Sequence, residues 1–209
     1  MTHSYYDLFP PSPTDDSQAI MFGYIRKTTK LPRLRRQIIE VSKSMHEAYD
    51  AEKWAIFPTL DCLVRYITEL ENLHLELDGK RQITREDVGL RIRQVERSAE
   101  TNEEFSLLMR EGCKLPGVAP SMRLALPIDP EIVWSFETDR YQSVLDSWTL
   151  HTGDSDPIIK EARDQLKAAA WLDILTNVEE YRDWRCKAPL RPQFMQSLKP
   201  SPQALPLGE

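Results

Sequence analysis

One pair of residues has the spacing of metal ligands on a helix. Glu71 and His74 stand three positions apart in a predicted helix, so their side chains share a face. Di-iron helical bundles use this Glu-x-x-His spacing, together with a second copy and two further helical glutamates. This chain has no second copy, and His74 also falls on an apolar seam. A core or interface histidine is therefore favoured, and a helical metal-dependent enzyme using Glu71 and His74 is the alternative.

Other reactive side chains lack a catalytic arrangement. His46, Cys62 and His151 have neither metal-ligand nor nucleophile spacing. The sequence contains no phosphate-binding Walker loop, no dinucleotide fingerprint and no serine elbow. The three cysteines, which also include Cys113 and Cys186, are far apart and odd in number, which favours a reducing compartment without disulfides. We predict that the protein is not an enzyme and has no cofactor or metal.

Charge is distributed unevenly along the chain. The net charge of −6 argues against a simple nucleic-acid coat. Residues 1–20 carry three acids and no base, and residues 128–209 carry 14 acids and nine bases. Residues 21–39, in contrast, hold six bases and no acid: Arg26, Lys27, Lys30, Arg33, Arg35 and Arg36. This basic run is either a solvated helix entry or a phosphate-facing edge, and composition does not choose between them.

The length of 209 residues suits one ordinary domain or two small ones. Residues 1–20 and 188–209 are rich in proline and are predicted to be disordered tails. No apolar run approaches the roughly 18 residues of a membrane span, and the N-terminus lacks the features of a secretory signal. The region between the tails is predicted to be helical, with 21–127 as a first domain and 128–187 as a helical extension.

Apolar periodicity predicts the helices of the first domain. A first helix is expected from Pro32, with Leu34, Ile38, Val41 and Met45 on one stripe. A long second helix is expected over about 51–77, with a narrow seam that steps by four and three. A third helix is expected to begin at a capping box, Thr84 to Asp87.

Further helices are predicted downstream. A short one is expected at 103–110, and two longer ones at 131–148 and 156–184, the last capped by Asp156 with Pro157 in its first turn. Residues 112–130 contain two glycines and four prolines and are predicted to be extended and irregular.

The short–long–short order of helices, with brief basic links, resembles the histone fold. Five segments carry the resemblance: Tyr66-Ile67-Thr68-Glu69 near the end of the long helix; Lys80, Arg81 and Ile83 in the second loop; Thr84, Arg85-Glu86 and Val88 to Ile92 in the third helix; Thr101 to Leu108, which is similar to an Asn-Asp-Glu-Glu-Leu-x-x-Leu-Leu segment; and Gly117 to Met122 followed by Leu126-Pro127. The last two are similar to the docking-domain histone, histone two-A. The resemblance covers about residues 21–127.

This resemblance implies an all-α histone fold and an obligate partner, a complementary histone-fold protein similar to histone two-B. The predicted dimer interface is the seam of the long helix, Ile56, Leu60, Leu63, Ile67 and Leu70. The predicted docking element, which would pair with a neighbouring histone dimer, is Gly117, Val118, Pro120, Met122 and Leu126.

The resemblance also implies non-specific DNA contacts and an acidic surface that receives basic peptides. Predicted DNA contacts are Arg33, Arg35, Arg36, Lys80 and Arg81. The predicted acidic surface is Glu69, Glu71, Glu103 and Glu104. The expected function is that of a histone-like chromatin protein in nucleosome-like particles, located in the nucleus or in viral chromatin.

Two alternatives without DNA packaging remain open. One is a histone-fold subunit of a transcription or chromatin-remodelling complex. The other is a helical protein-interaction module, suggested by the tryptophans of the C-terminal region, Trp134, Trp148, Trp171 and Trp184. These aromatic residues either pack as a small subdomain or bind a partner.

Overall fold

A computed structural model describes residues 3–7, 38–98, 103–115, 118–119, 121–126, 128–149, 156–187 and 192–197. Within these residues the chain forms seven helices. They are α1 (Lys43–Asp50), α2 (Leu60–Leu77), α3 (Arg85–Ser98), α4 (Pro130–Thr149), α5 (Pro157–Thr176), α6 (Val178–Lys187) and α7 (Gln193–Ser197). Most residues of the predicted tails lie outside the described residues, and there the expected disorder stays a prediction. The prediction is wrong for His3–Asp7, which forms a strand, and for Gln193–Ser197, which forms α7.

The described residues also form two antiparallel sheets. A two-stranded sheet pairs β1 (His3–Asp7) with β2 (Ile38–Ser42). A three-stranded sheet has the order β3 (Trp54–Pro58), β4 (Glu103–Met109), β5 (Ser121–Leu126), with β4 in the centre. The predicted all-α class is therefore wrong, and with it the histone fold: the chain is mostly helical but is built around a sheet.

The long second helix was predicted to begin too early. Its first part, Trp54–Pro58, is instead strand β3, and all five residues are buried. Ile56 lies four positions before Leu60, which satisfies helical periodicity by coincidence. A short apolar run fits a buried strand equally well, and Pro58 removes a donor from a helix interior. The helix begins only after Thr59, whose hydroxyl accepts a hydrogen bond from the Cys62 backbone amide at 3.4 Å.

Two other predicted helices are wrong as well. The expected short helix at 103–110 is strand β4, whose last five residues are all buried. A central strand that is covered on both faces has a continuous apolar run instead of alternating apolar and polar residues. Hydrophobic periodicity therefore does not identify it as a strand. The expected first helix from Pro32 lies outside the described residues up to position 37, then continues as β2 and α1.

Helix starts that carry capping residues were predicted correctly. The capping box of α3 is confirmed: the Asp87 carboxylate accepts from the Thr84 amide at 2.9 Å, and the Asp87 amide donates back to the Thr84 hydroxyl at 3.3 Å. Asp156 caps α5 by accepting from the Ile158 amide at 2.8 Å, with Pro157 in the first turn. The helix predicted over 156–184 is interrupted at Asn177, which separates α5 from α6.

The apolar seam of α2 is closed within this chain. Helix α2 packs against α5 and α3, and α4 packs against both β3 and α5. Leu63 and Ile67 are fully buried by these contacts. The helices therefore cover the sheet and one another around a single core cluster that includes residues of every one of them except α6, which adds partly buried residues at the edge.

A fully buried amide joins the sheet to the helices. Gln165 of α5 donates from Nε2 to the Pro58 carbonyl and to the Ser106 hydroxyl, both at 3.0 Å. Its Oε1 accepts from the Tyr141 hydroxyl of α4 at 2.7 Å. Because both amide protons and the carbonyl are used, this buried polar group is satisfied and fixes how β3, β4, α4 and α5 fit together.

Candidate functional site

Strand β5 forms an edge of the three-stranded sheet. It pairs antiparallel with β4, from Glu103 opposite Leu126 to Leu108 opposite Ser121. Within the part of the chain that the structure describes, β5 pairs on this side only. Its backbone N–H and C=O groups on the other side have no strand partner among the described residues, which makes β5 the candidate functional site.

The side chains of β5 alternate in exposure. Met122, Leu124 and Leu126 are half-buried and pack against the core, and Ser121, Arg123 and Ala125 are exposed. The single charge in the strand is held in place by the chain itself. Arg123 donates to the Glu161 carboxylate of α5 at 3.3 Å and lies 3.9 Å from Glu104 of β4.

The strand contains part of the predicted docking element. Met122 and Leu126 belong to β5, and Val118 forms an isolated bridge with Leu115 just before it. Gly117 and Pro120 lie outside the described residues. The prediction that 112–130 is irregular is wrong for 121–126, because the alternating residues pair with β4 of the same chain. Main-chain pairing was expected here, but with another protein.

The predicted dimer-interface residues lie in the core of one chain. Ile56 lies in β3 rather than on the helix, and Leu60 begins α2. Ile56, Leu63 and Ile67 are 0% exposed and Leu70 is 1% exposed. Since α5 covers this face of α2, these side chains have their apolar contacts without a second chain.

The predicted DNA-contact residues divide into two groups. Arg33, Arg35 and Arg36 lie outside the described residues. Lys80 and Arg81 lie in the link between α2 and α3, where Arg81 makes a bidentate pair with Asp87 at 2.7 and 2.6 Å. The guanidinium and the Thr84 cap hold the pKa of Asp87 well below its usual range. A phosphate would therefore meet an arginine whose charge is already paired with a carboxylate.

The four predicted acidic-surface residues each have a partner within the chain. Glu69 pairs with Arg91 of α3 at 3.3 Å, and Glu103 pairs closely with Arg65 of α2. Glu104 lies near Arg123, and Glu71 accepts a hydrogen bond from the Trp171 indole at 3.0 Å. The four carboxylates therefore contact four different elements, α2, α3, β5 and α5, and each stabilises a different contact within the fold.

The predicted Glu71–His74 pair holds α2 against the C-terminal helices. The ring nitrogen Nε2 of His74 lies 2.9 Å from the Leu175 carbonyl, so this nitrogen carries the proton and donates it. The His74 ring contacts the Tyr181 ring of α6 at 3.8 Å. Next to this contact, Trp171 and Trp184 pack edge to face at 4.5 Å. Glu71 and His74 thus both form hydrogen bonds within the protein, in a packed contact between α2 and the C-terminal helices.

We expect the buried His74 to make the protein less stable in mild acid. Burial lowers the pKa of His74, and Arg185 lowers it further. As pH falls through about 6.5, the unfolded chain takes up a proton before the native chain does, so stability falls by up to about 1.4 kcal/mol for each pH unit. Denaturant unfolding of the wild type and His74→Gln, which keeps a donor for Leu175, measures this loss.

The difference between the two proteins isolates His74 from other titrating groups. Burial raises the pKa of Glu131 to about 8, and this carboxyl acts in the opposite direction because the native state holds its proton longer. Asn72→Gln, at an exposed position of α2, is the matched control and should behave as the wild type. Equal acid sensitivity in the wild type and His74→Gln would contradict the assignment.

Sequence analysis missed a second buried polar cluster. Glu137 of α4 is 4% exposed and accepts a hydrogen bond from the Tyr49 hydroxyl of α1 at 2.7 Å. Arg140 donates to the Tyr49 carbonyl at 2.6 Å and stacks over its ring at 3.8 Å. Burial raises the pKa of Glu137. Tyr49 lies 88 positions before Glu137 and 91 positions before Arg140 in the sequence. No local sequence signal therefore predicts that it contacts them.

The outer face of α4 carries a polar groove of about 500 Å³. It is lined by Arg110, Asp139, Gln142, Ser143, Asp146 and Ser147. Gln142 donates to Asp146 at 2.6 Å, and the Ser147 hydroxyl donates to the Val144 carbonyl while accepting from the Glu111 amide. The groove is open, and Gln142, Asp146 and Ser147 already have hydrogen-bond partners within the chain, which makes it a weaker candidate than the β5 edge.

Comparison with family models, with curated protein sequences and with solved structures finds no match to this chain. The resemblance to histones therefore depends only on the short segments quoted above. Among the described residues, no group of three or more histidine, cysteine, aspartate or glutamate side chains is placed to hold a metal ion. No described helix has both the length and the apolar character needed to cross a membrane.

Proposed function

We propose that this protein is a protein-binding module that accepts an extended polypeptide strand at the edge formed by β5. The observation that supports the proposal is the one-sided pairing of β5 within the described residues. Addition of a strand to an exposed sheet edge is an established way to bind a peptide, with main-chain hydrogen bonds providing affinity. Alternate side chains of β5 then contribute specificity.

The composition of β5 favours pairing. Edge strands are commonly protected by prolines, several charges or a bulge. β5 has six residues, Ser-Met-Arg-Leu-Ala-Leu, with one charge and no proline. Its single arginine is already directed toward Glu161 and Glu104, so it does not have to be neutralised by a partner.

The opposite edge of the same sheet is a poor binding surface. All five residues of β3 are buried, and α4 packs along the strand. The Trp54 indole also donates to the Met45 carbonyl of α1 at 2.8 Å, which brings α1 to the start of β3. A partner strand is therefore directed to β5.

The chromatin role, its DNA and histone partners and the nuclear location stay predictions. They depended on a histone fold whose long helix keeps an open seam, and that fold is wrong for this chain. The pairing of Arg81 with Asp87 weakens the DNA-contact prediction further, since a loop arginine already occupied by a carboxylate has less to offer a phosphate. The protein-interaction alternative depends on neither feature.

Titration with a synthetic strand tests the proposal. The probe is a short peptide of alternating valine and threonine with one glutamate, added to dilute full-length protein. We expect amide exchange to slow in β5 and to stay unchanged in β3, because the new strand pairs only with the open edge. The same peptide with a central proline is the control and should protect less. Unchanged exchange in β5 at saturating peptide would refute the proposal.

A further inference from the structure

We infer that the strand accepted by β5 is β5 of a second copy of this chain, paired antiparallel about a twofold axis at Leu124. The inference rests on the proposed function and names its partner. It would join two three-stranded sheets into one sheet of six strands, with β5 and its symmetry mate at the centre. The argument comes from register, charge and the pattern of exposure along the strand.

Twofold pairing allows few registers. Directly opposed residues of antiparallel strands point to the same side of the sheet, so even-numbered residues must oppose even-numbered ones. Two registers overlap nearly the whole of β5. One places Arg123 opposite its own copy, and the other places Leu124 opposite its own copy.

Charge decides between these two registers. Like charges directly opposite each other destabilise a strand pair, which disfavours the register centred on Arg123. In the register centred on Leu124, Arg123 opposes the small side chain of Ala125 in the other copy. The half-buried side chains also match, since Met122 opposes Leu126 and Leu124 opposes itself. β5 is thus complementary to itself in one register.

Charge substitutions at Ala125 test this register. Ala125→Lys would place a lysine opposite Arg123 of the other copy, twice in each dimer, and Ala125→Glu would place a glutamate there. We expect the dimer dissociation constant, measured by sedimentation of the full-length chain, to rise about tenfold for Ala125→Lys and to fall for Ala125→Glu. Gln94→Lys, on the exposed side of α3, is the matched control and should dimerise as the wild type.

The stability of the monomer should change in the opposite order to the dimer affinity for these two substitutions. Ala125 opposes Glu104 within the chain, so a lysine there is attracted and a glutamate is repelled. Dimerisation should therefore be strongest in the variant with the less stable monomer. This reversal separates an effect on pairing from an effect on folding, which unfolding measurements on dilute protein record in parallel.

The outcomes distinguish the inference from the proposed function. A wild type that stays monomeric up to submillimolar concentration, but whose β5 is protected by the valine–threonine peptide, overturns the inference and keeps the proposed function. A dimer that is insensitive to both Ala125 substitutions also overturns it, because the contact then lies elsewhere. A monomer whose β5 the peptide does not protect overturns both.

Discussion

Leu63→Asp should lower the free energy of unfolding by more than about 4 kcal/mol. Leu63 is 0% exposed in the first turn of α2, a helix that packs against α5 and α3. An aspartate there would be a buried charge without a partner or would have to take up a proton, at a cost above about 4 kcal/mol. Since a whole domain is stable by only about 5–15 kcal/mol, this loss removes a large part of the stability of the chain. Circular dichroism during a urea titration measures the free energy of unfolding.

The same substitution at Leu75 is the matched control. Leu75 lies on α2 and is 66% exposed, so Leu75→Asp should change stability by less than about 0.5 kcal/mol. A Leu63→Asp monomer that is as stable as the wild type and has lost only its self-association would contradict this account. It would show that the α2 seam faces a second chain, as in a histone pair.

Gln165→Leu should destabilise the protein by about 3 kcal/mol, although leucine is apolar and of similar size. The change removes two donors and one acceptor from the core and leaves the Tyr141 hydroxyl, the Ser106 hydroxyl and the Pro58 carbonyl without this partner. Unsatisfied buried groups cost more than the lost hydrogen bonds themselves. The measurement is the free energy of unfolding in urea.

Gln94→Leu is the matched control, because it makes the same change at an exposed helical position. Tyr141→Phe completes a double-mutant cycle with Gln165→Leu. The double variant should lose clearly less than the two single variants added together, since each single change already breaks the same bond. A Gln165→Leu protein as stable as the wild type would show that the amide is not what joins the sheet to the helices.

Local chemistry made some elements predictable from the sequence. Thr84 and Asp87 satisfy each other's backbone groups at the start of α3, and Asp156 with Pro157 begins α5. Each of these signals involves residues at most three positions apart, so neighbours alone determine the outcome. The prediction of a helix over 131–148 agrees with α4 to within one residue at each end.

Strand β3 was missed because its evidence lies elsewhere in the chain. A five-residue apolar run fits a helical stripe and a buried strand equally well until its neighbour is known. That neighbour is β4, which begins 45 positions after β3 ends and was itself predicted to be helical. The error at β3 lengthened the second helix of the short–long–short pattern on which the histone fold depended, and the error at β4 hid the strand that pairs with β3.

The site was foreseen in part. Glycine, proline and spaced apolar residues predicted a protein-binding element in the stretch that contains β5, and the histone resemblance implied main-chain pairing there with a neighbouring histone dimer. Pairing with β4 of the same chain was not expected, since the register from Glu103 to Leu108 is a long-range property. The contacts of Gln165 and Glu137 likewise join residues 24 to 107 positions apart, which periodicity does not detect.

Residue-resolved hydrogen exchange across the three-stranded sheet tests the central claim, that β5 is a pairing edge, most directly. The full-length protein is compared when dilute, when concentrated and when saturated with the valine–threonine peptide. The account predicts that exchange slows in β5 with added peptide, and with concentration if the partner is a second copy, while β3 stays constant. Exchange in β5 that is the same under all three conditions would contradict it.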